Sequence, residues 1–314
     1  MLRFVLRRVG LMGFTMFLVS IGIFASTELL PADAVDVYLG RGATEENSAL
    51  LRAELGLDRS APVRYFEWIT GAVRGDFGHS LYNRTEIAPL IQRRLFHSGI
   101  LAVFAFFVAV PTALIAGIWA GIRPDSKTDR VLSLVGLVGI SLPEFVTGVL
   151  LILLFSSWLA LLPSVSIIPA DTTPLNRPQI LIMPSLTITA VLFAYIMRMT
   201  RANVIEVMQT DYVRTAVLKG LSTREVIFRH VLPNAMLPTI TVITLNFGYM
   251  LGGLIIVENV FAYPGIGQLM IWSINTRDVP LLEAVALILA LTYAVSNLIA
   301  DLSYAALDPR VKLE

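Results

Sequence analysis

Long apolar blocks without a charged residue are the feature that most restricts what this chain can fold into. A hydrocarbon core about 30 Å thick takes roughly 20 residues of helix to cross. Six segments meet or approach that requirement: 9–27, 98–122, 131–162, 178–197, 235–257 and 283–300. The third exceeds one span and is interrupted by Pro143 and Glu144. Of 314 residues, 56% are hydrophobic and 15% charged, where a soluble domain carries about a quarter charged. The expectation is an all-α integral membrane protein with six transmembrane helices and a helical extracytoplasmic loop after the first.

The first block follows a basic segment, Met1 to Arg8, as a cleaved signal peptide would. Its apolar stretch is longer than a signal core of 7–15 residues, which favours an uncleaved anchor. Orientation follows from Lys and Arg in the short loops. One set of ends carries Arg3, Arg7, Arg8, Arg123, Lys127, Arg130, Arg198, Arg201, Arg214, Lys219, Arg224, Arg229, Arg310 and Lys312, whereas the short loops of the other set carry Arg177 and Arg277. Both termini are therefore expected on the cytoplasmic side. The chain is read as an anchor at 1–30, an extracytoplasmic loop at 31–97, a core at 98–303 containing an inner loop at 198–234, and a cytoplasmic tail at 304–314.

Composition removes several functions. The sequence has no cysteine, so disulfides, thiolate metal sites and thiol nucleophiles are excluded. His79, His97 and His230 are too far apart for a ligand motif, and a net charge of +1 points to no nucleic-acid partner. Ser98, Ser141 and Ser185 have no evident base, which weakens an intramembrane hydrolase.

The outer loop holds two helical pieces, at 44–57 and 63–73, the second carrying Tyr65, Phe66, Trp68 and Ile69. They read equally as a cap on the outer membrane ends or as a docking surface for an extracytoplasmic carrier. The inner loop is too long for a simple connection. Asp211 opens a short helix, Lys219 stands in its last turn and Gly220 ends it. Ser222 and Glu225 have the spacing of a capping box for a second helix, which Pro233 is expected to stop. Two short helices at a glycine elbow suit insertion into a partner's groove; the alternative is a pair of helices lying on lipid, for which Val213, Val217 and Leu221 offer a narrow stripe.

Glu144 is a carboxylate inside an apolar block. It either lines a translocation cavity, pairs with another span, or sits near the inner interface. Glu258, Glu283 and Asp301 stand near span ends and read as interface residues. Gly252 and Gly253 allow close helix packing.

Arg214-Thr215-Ala216, Gly220 and Leu232-Pro233 resemble the inner-loop signature of binding-protein-dependent ABC importer permeases, with Arg214 where the broad family has glutamate. Residues 211–216 and 219–222 read Asp-Tyr-Val-Arg-Thr-Ala and Lys-Gly-Leu-Ser, similar to the dipeptide and oligopeptide branch and to its B-type subunit. Further similar segments are 54–58, 74–80, 257–261, 264–267, 277–278 and 307–310. Pro31-Ala32-Asp33-Ala34 departs from the family's Pro-Gly-Asp-Pro.

The resemblance implies a type I importer permease fold in the bacterial inner membrane. It implies a heterodimer with a second permease, two cytoplasmic ATP-binding subunits and an extracytoplasmic substrate-binding protein. Asp211, Tyr212, Arg214, Thr215, Ala216, Lys219, Gly220, Leu221 and Ser222 become the coupling loop. The chain contains no phosphate-cradling G-x-x-x-x-G-K-[ST] motif, so it is expected to hold no cofactor and to carry no catalytic site; ATP and Mg belong to the partners. Peptides are the expected solute. Oligosaccharide, nickel and glutathione systems, and a channel not coupled to ATP, are the alternatives.

Overall fold

The computed structural model describes residues 2–29, 44, 49, 58–169 and 172–307. Among them the backbone is helical, apart from turns, connections and an isolated bridge between His79 and Glu86. In chain order the helices are α1 (Leu2–Glu28), α2 (Ala61–Val73), α3 (Ile87–Ile122), α4 (Lys127–Ser141), α5 (Glu144–Trp158), α6 (Gln179–Met208), α7 (Asp211–Leu218), α8 (Thr223–Val260), α9 (Ile266–Asn275) and α10 (Val279–Leu307).

Five of these, α1, α3, α6, α8 and α10, are long and apolar enough to cross a membrane. Helices α4 and α5 meet at a bend of 110° and make a sixth span when taken together. Pro143 explains the break. It disfavours helical backbone at the residue before it, and Leu142 is extended, with φ −92° and ψ 129°. The helices outrun their apolar blocks: α3 begins at Ile87 and α6 continues to Met208. Apolarity marks the part immersed in lipid, whereas the hydrogen-bond ladder runs on through polar residues. Of the two outer-loop helices expected, the one at 63–73 is α2; the one at 44–57 falls outside the described residues.

The chain divides into two compact units. In the first, residues 1–97 and 265–295, α2 packs on α1. Phe24 meets Tyr65 edge-on at 5.6 Å and Trp68 at 6.1 Å, and Ser20 hydrogen-bonds the Tyr65 hydroxyl at 2.8 Å. Arg64 pairs with Glu28, and Thr27 donates to Glu283 at 2.5 Å. Buried Asp278 organises the turn before α3: its carboxylate accepts from the Ser80 hydroxyl at 2.5 Å and from the backbone N–H groups of Leu81, Tyr82 and Leu281.

In the second unit, residues 98–264 and 296–314, α3, α6 and α8 form the core, with Leu101, Leu181, Met183, Ile196, Met197 and Val257 buried together. The close approach of α3 to α6 runs along Ala105, Ala109, Ala113, Gly117 and Gly121, one small residue every fourth position. A Cβ on Gly117 would stand 2.6 Å from the Thr200 Cβ and 2.7 Å from the Met197 carbonyl; one on Gly121 would meet Val204 at 2.7 Å. Without a hydrophobic drive in lipid, such backbone proximity is how dispersion holds helices together. Gly139 serves α4 in the same way: a Cβ there would stand 2.7 Å from the Ala190 carbonyl of α6.

Candidate functional site

Helix α7 hangs from the ends of α6 and α8 by two side chains. Val213 and Ala216 are buried, in one cluster with Val204 of α6 and with Val226, Val231 and Ala235 of α8. The helix then stops by a complete glycine cap. Gly220 takes φ +79°, a conformation that costs glycine little. Its N–H donates to the Val217 carbonyl at 2.9 Å, and that of Leu221 reaches back to Ala216 at 3.4 Å, the reciprocal pair of a Schellman motif. Ser222 starts α8 at once. Its hydroxyl accepts from the Glu225 N–H at 3.3 Å, while its own N–H donates to the Glu225 carboxylate at 3.0 Å. Both caps expected at the elbow are present.

The second helix differs from expectation. It does not end at Pro233 but runs straight into the long span, so α8 extends from Thr223 to Val260. Proline lacks an N–H and its ring presses on the carbonyl four residues back. The preceding residues, Val226–Val231, are wound as a π-helix, and that wider turn admits the proline without breaking the rod.

The elbow presents Asp211, Tyr212, Arg214, Thr215, Lys219, Gly220 and Ser222 outward, while Leu221 is half-buried. Ala216 faces the core. The tip also carries Val217 and Leu218, the latter 81% exposed, and Phe228 projects from the start of α8. Leu218 and Phe228 were missed as surface candidates, and Val217 was read only as part of a stripe with Val213 and Leu221; the helical period sets Leu218 opposite buried Val213 and Ala216, whereas Val217 flanks Val213 at the rim of the buried face.

Three ties fix the roots of the elbow. Arg201 on α6 grips Asp129 on α4 with two bonds, Nε to Oδ1 at 2.5 Å and a terminal nitrogen to Oδ2 at 2.7 Å. The same carboxylate accepts from the Asp125 N–H at 2.9 Å, and Ser126 caps α4 through the Asp129 N–H. Asn203 of α6 donates to Thr239 of α8 at 3.0 Å, both buried. Gly121 lets α3 touch Val204. Sequence reading assigned Asp129 no role, although Ser126 and Asp129 have the spacing of a helix start.

Glu144 begins α5 and its carboxylate rests against Gly253 of α8. Gly253 thus makes a close contact, whereas a Cβ on Gly252 would meet nothing within 4 Å. Glu258 is fully buried and accepts from the Ser98 hydroxyl; Glu283 is also buried. Among the described residues, no three His, Asp or Glu side chains gather as a metal site.

The chain as a whole is similar to known families and proteins. Residues 113–313 match the family described as binding-protein-dependent transport system inner membrane component, and residues 1–98 match the family of its N-terminal part. A glutathione transport system permease protein, GsiC, of Escherichia coli K12 is 38% identical over 313 residues, covering 99% of each chain. A probable peptide ABC transporter permease protein, y4tP, of Sinorhizobium fredii is 35% identical over 314 residues, covering 98% of this chain and 99% of that one. In fold, a crystal structure of an amino acid ABC transporter superposes with a TM-score of 0.54 at 16% identity, covering 69% of this chain and 94% of that one.

Proposed function

We propose, for a chain that belongs to the family of binding-protein-dependent transport system inner membrane components and is a permease of an ABC importer, that its solute is a peptide and that α7 is its grip on the motor. Support for the solute class comes from relatives named for peptide and for glutathione, itself a small peptide. Support for the grip comes from one observation above the others: a doubly capped elbow whose tip exposes Tyr212, Val217 and Leu218 while its base is locked into α6 and α8.

In this reading the chain pairs with a second permease, and two cytoplasmic ATP-binding subunits receive the two elbows. A substrate-binding protein delivers the peptide from outside, and both termini lie in the cytoplasm. ATP and Mg are held by the partner subunits. When those subunits close, α7 is displaced. Because Val213 and Ala216 interlock with α6 and α8, the displacement moves the lower ends of both spans, and Arg201 carries it through Asp129 to α4. Coupling is then a bias between two packed arrangements of the bundle. The π-wound turn at Val226–Val231 is the place where α8 yields.

The test is an importer reconstituted in liposomes. Peptide uptake should require ATP and all partners, and ATPase activity should rise when the peptide-loaded binding protein is added. Uptake by this chain without nucleotide would overturn the reading.

A further inference from the structure

Glu144 stands at the bend of the third span, half-buried, with its carboxylate in the notch that the missing side chain of Gly253 leaves on α8. One turn on, along the same face of α5, the Thr147 hydroxyl is buried without a hydrogen-bond partner. No basic side chain among the described residues pairs with Glu144. An ionisable group at membrane depth is costly, and it persists where something answers its charge. The bend follows the 15 residues of α4, inside the pair of helices that together are long and apolar enough for the third span.

A free carboxylate and a free hydroxyl acceptor, side by side, match a compact group that has several N–H donors and no acceptor. An ammonium is that group. We infer that Glu144, seated by Gly253 and assisted by Thr147, receives the terminal ammonium of the incoming peptide in the translocation path. This rests on the peptide reading of the preceding section and adds a specificity: a free amino terminus. A basic residue of the second permease is the competing occupant. It would hold Glu144 as a fixed subunit contact, indifferent to the peptide's end.

The test uses the whole importer in liposomes and two peptides of the same sequence, one with a free amino terminus and one N-formylated. The pair is chosen so that the binding protein holds both equally, and each is supplied at saturation. The wild type is expected to import the free-amino peptide at least tenfold faster. Glu144→Gln, close in shape, should bring that peptide down to the formylated rate, while Glu144→Asp keeps a preference. Equal import of the two by the wild type, or a preference that survives Glu144→Gln, overturns the inference. So does loss of the second permease from the purified Glu144→Gln complex, which would make the contact structural. A wild type that imports neither peptide refutes the peptide reading itself, a result distinct from import without preference.

Discussion

Asp129 and Arg201 clasp α4 to α6 through two parallel hydrogen bonds of 2.5 and 2.7 Å, just above the elbow that α7 makes. The planar guanidinium fits a carboxylate in this way and an ammonium does not. Asp129 is buried, and it also holds the turn that leads into α4. Removing the carboxylate therefore strands a cation and frees a loop.

Asp129→Ala is expected to destabilise the permease by about 2–4 kcal/mol, somewhat below the range for a fully buried pair because Arg201 is partly exposed. Arg201→Lys should recover little of the loss from Arg201→Ala. Thermal inactivation of the solubilised complex, read as a double-mutant cycle over the two positions, checks both statements. Additive losses would mean that the pair is not coupled.

Gly220 has no neighbour that a Cβ would strike, so a substitution there acts through the backbone alone. Left-handed backbone costs an L-residue about 1–2 kcal/mol, and Asn tolerates it better than a β-branched residue. Gly220→Val should insert normally but abolish transport, whereas Gly220→Asn should keep a measurable fraction of it. Uptake in vesicles with equal permease content decides the order; normal uptake by the valine variant would refute the elbow.

Gly117→Val tests the small-residue stripe. The added Cβ would meet a backbone carbonyl at 2.7 Å, which has no rotamer to change. Overpacking of this kind typically costs about 1–3 kcal/mol, occasionally more. The expected result is a fall in the yield of folded protein from membranes, with Gly99→Val, whose site is open, as the harmless control.

How far the sequence foretold these features varies with their range along the chain. The caps at Gly220 and Ser222 were legible because each is a contact between residues a few positions apart, dictated by residue type. The bend at Pro143 was legible for the same reason. Pro233 misled: a proline usually ends a helix, but the π-wound turn beside it lets α8 continue. The Asp129–Arg201 pair was illegible, since it joins residues 72 positions apart and nothing local to either names the other. The resemblance puts Ala216 among the docking residues, yet it faces the core, because the period of a helix of eight residues does not by itself say which side meets the bundle.

Leu218 is the most exposed residue of the elbow's apolar tip, and surface substitutions away from packing are usually within about 0.5 kcal/mol in stability. Leu218→Asp should leave folding intact and weaken the hold on the ATP-binding subunits, seen as their loss from the purified complex.

The same residue offers the most direct test of the claim that α7 grips the motor. The chain has no cysteine, so Leu218→Cys introduces a single thiol. Its labelling by a water-soluble maleimide should be fast in the permease pair alone and strongly slowed once the ATP-binding subunits are bound, with a short cross-linker joining the two chains. Labelling that the subunits leave unchanged, or protection by lipid in their absence, would contradict the account.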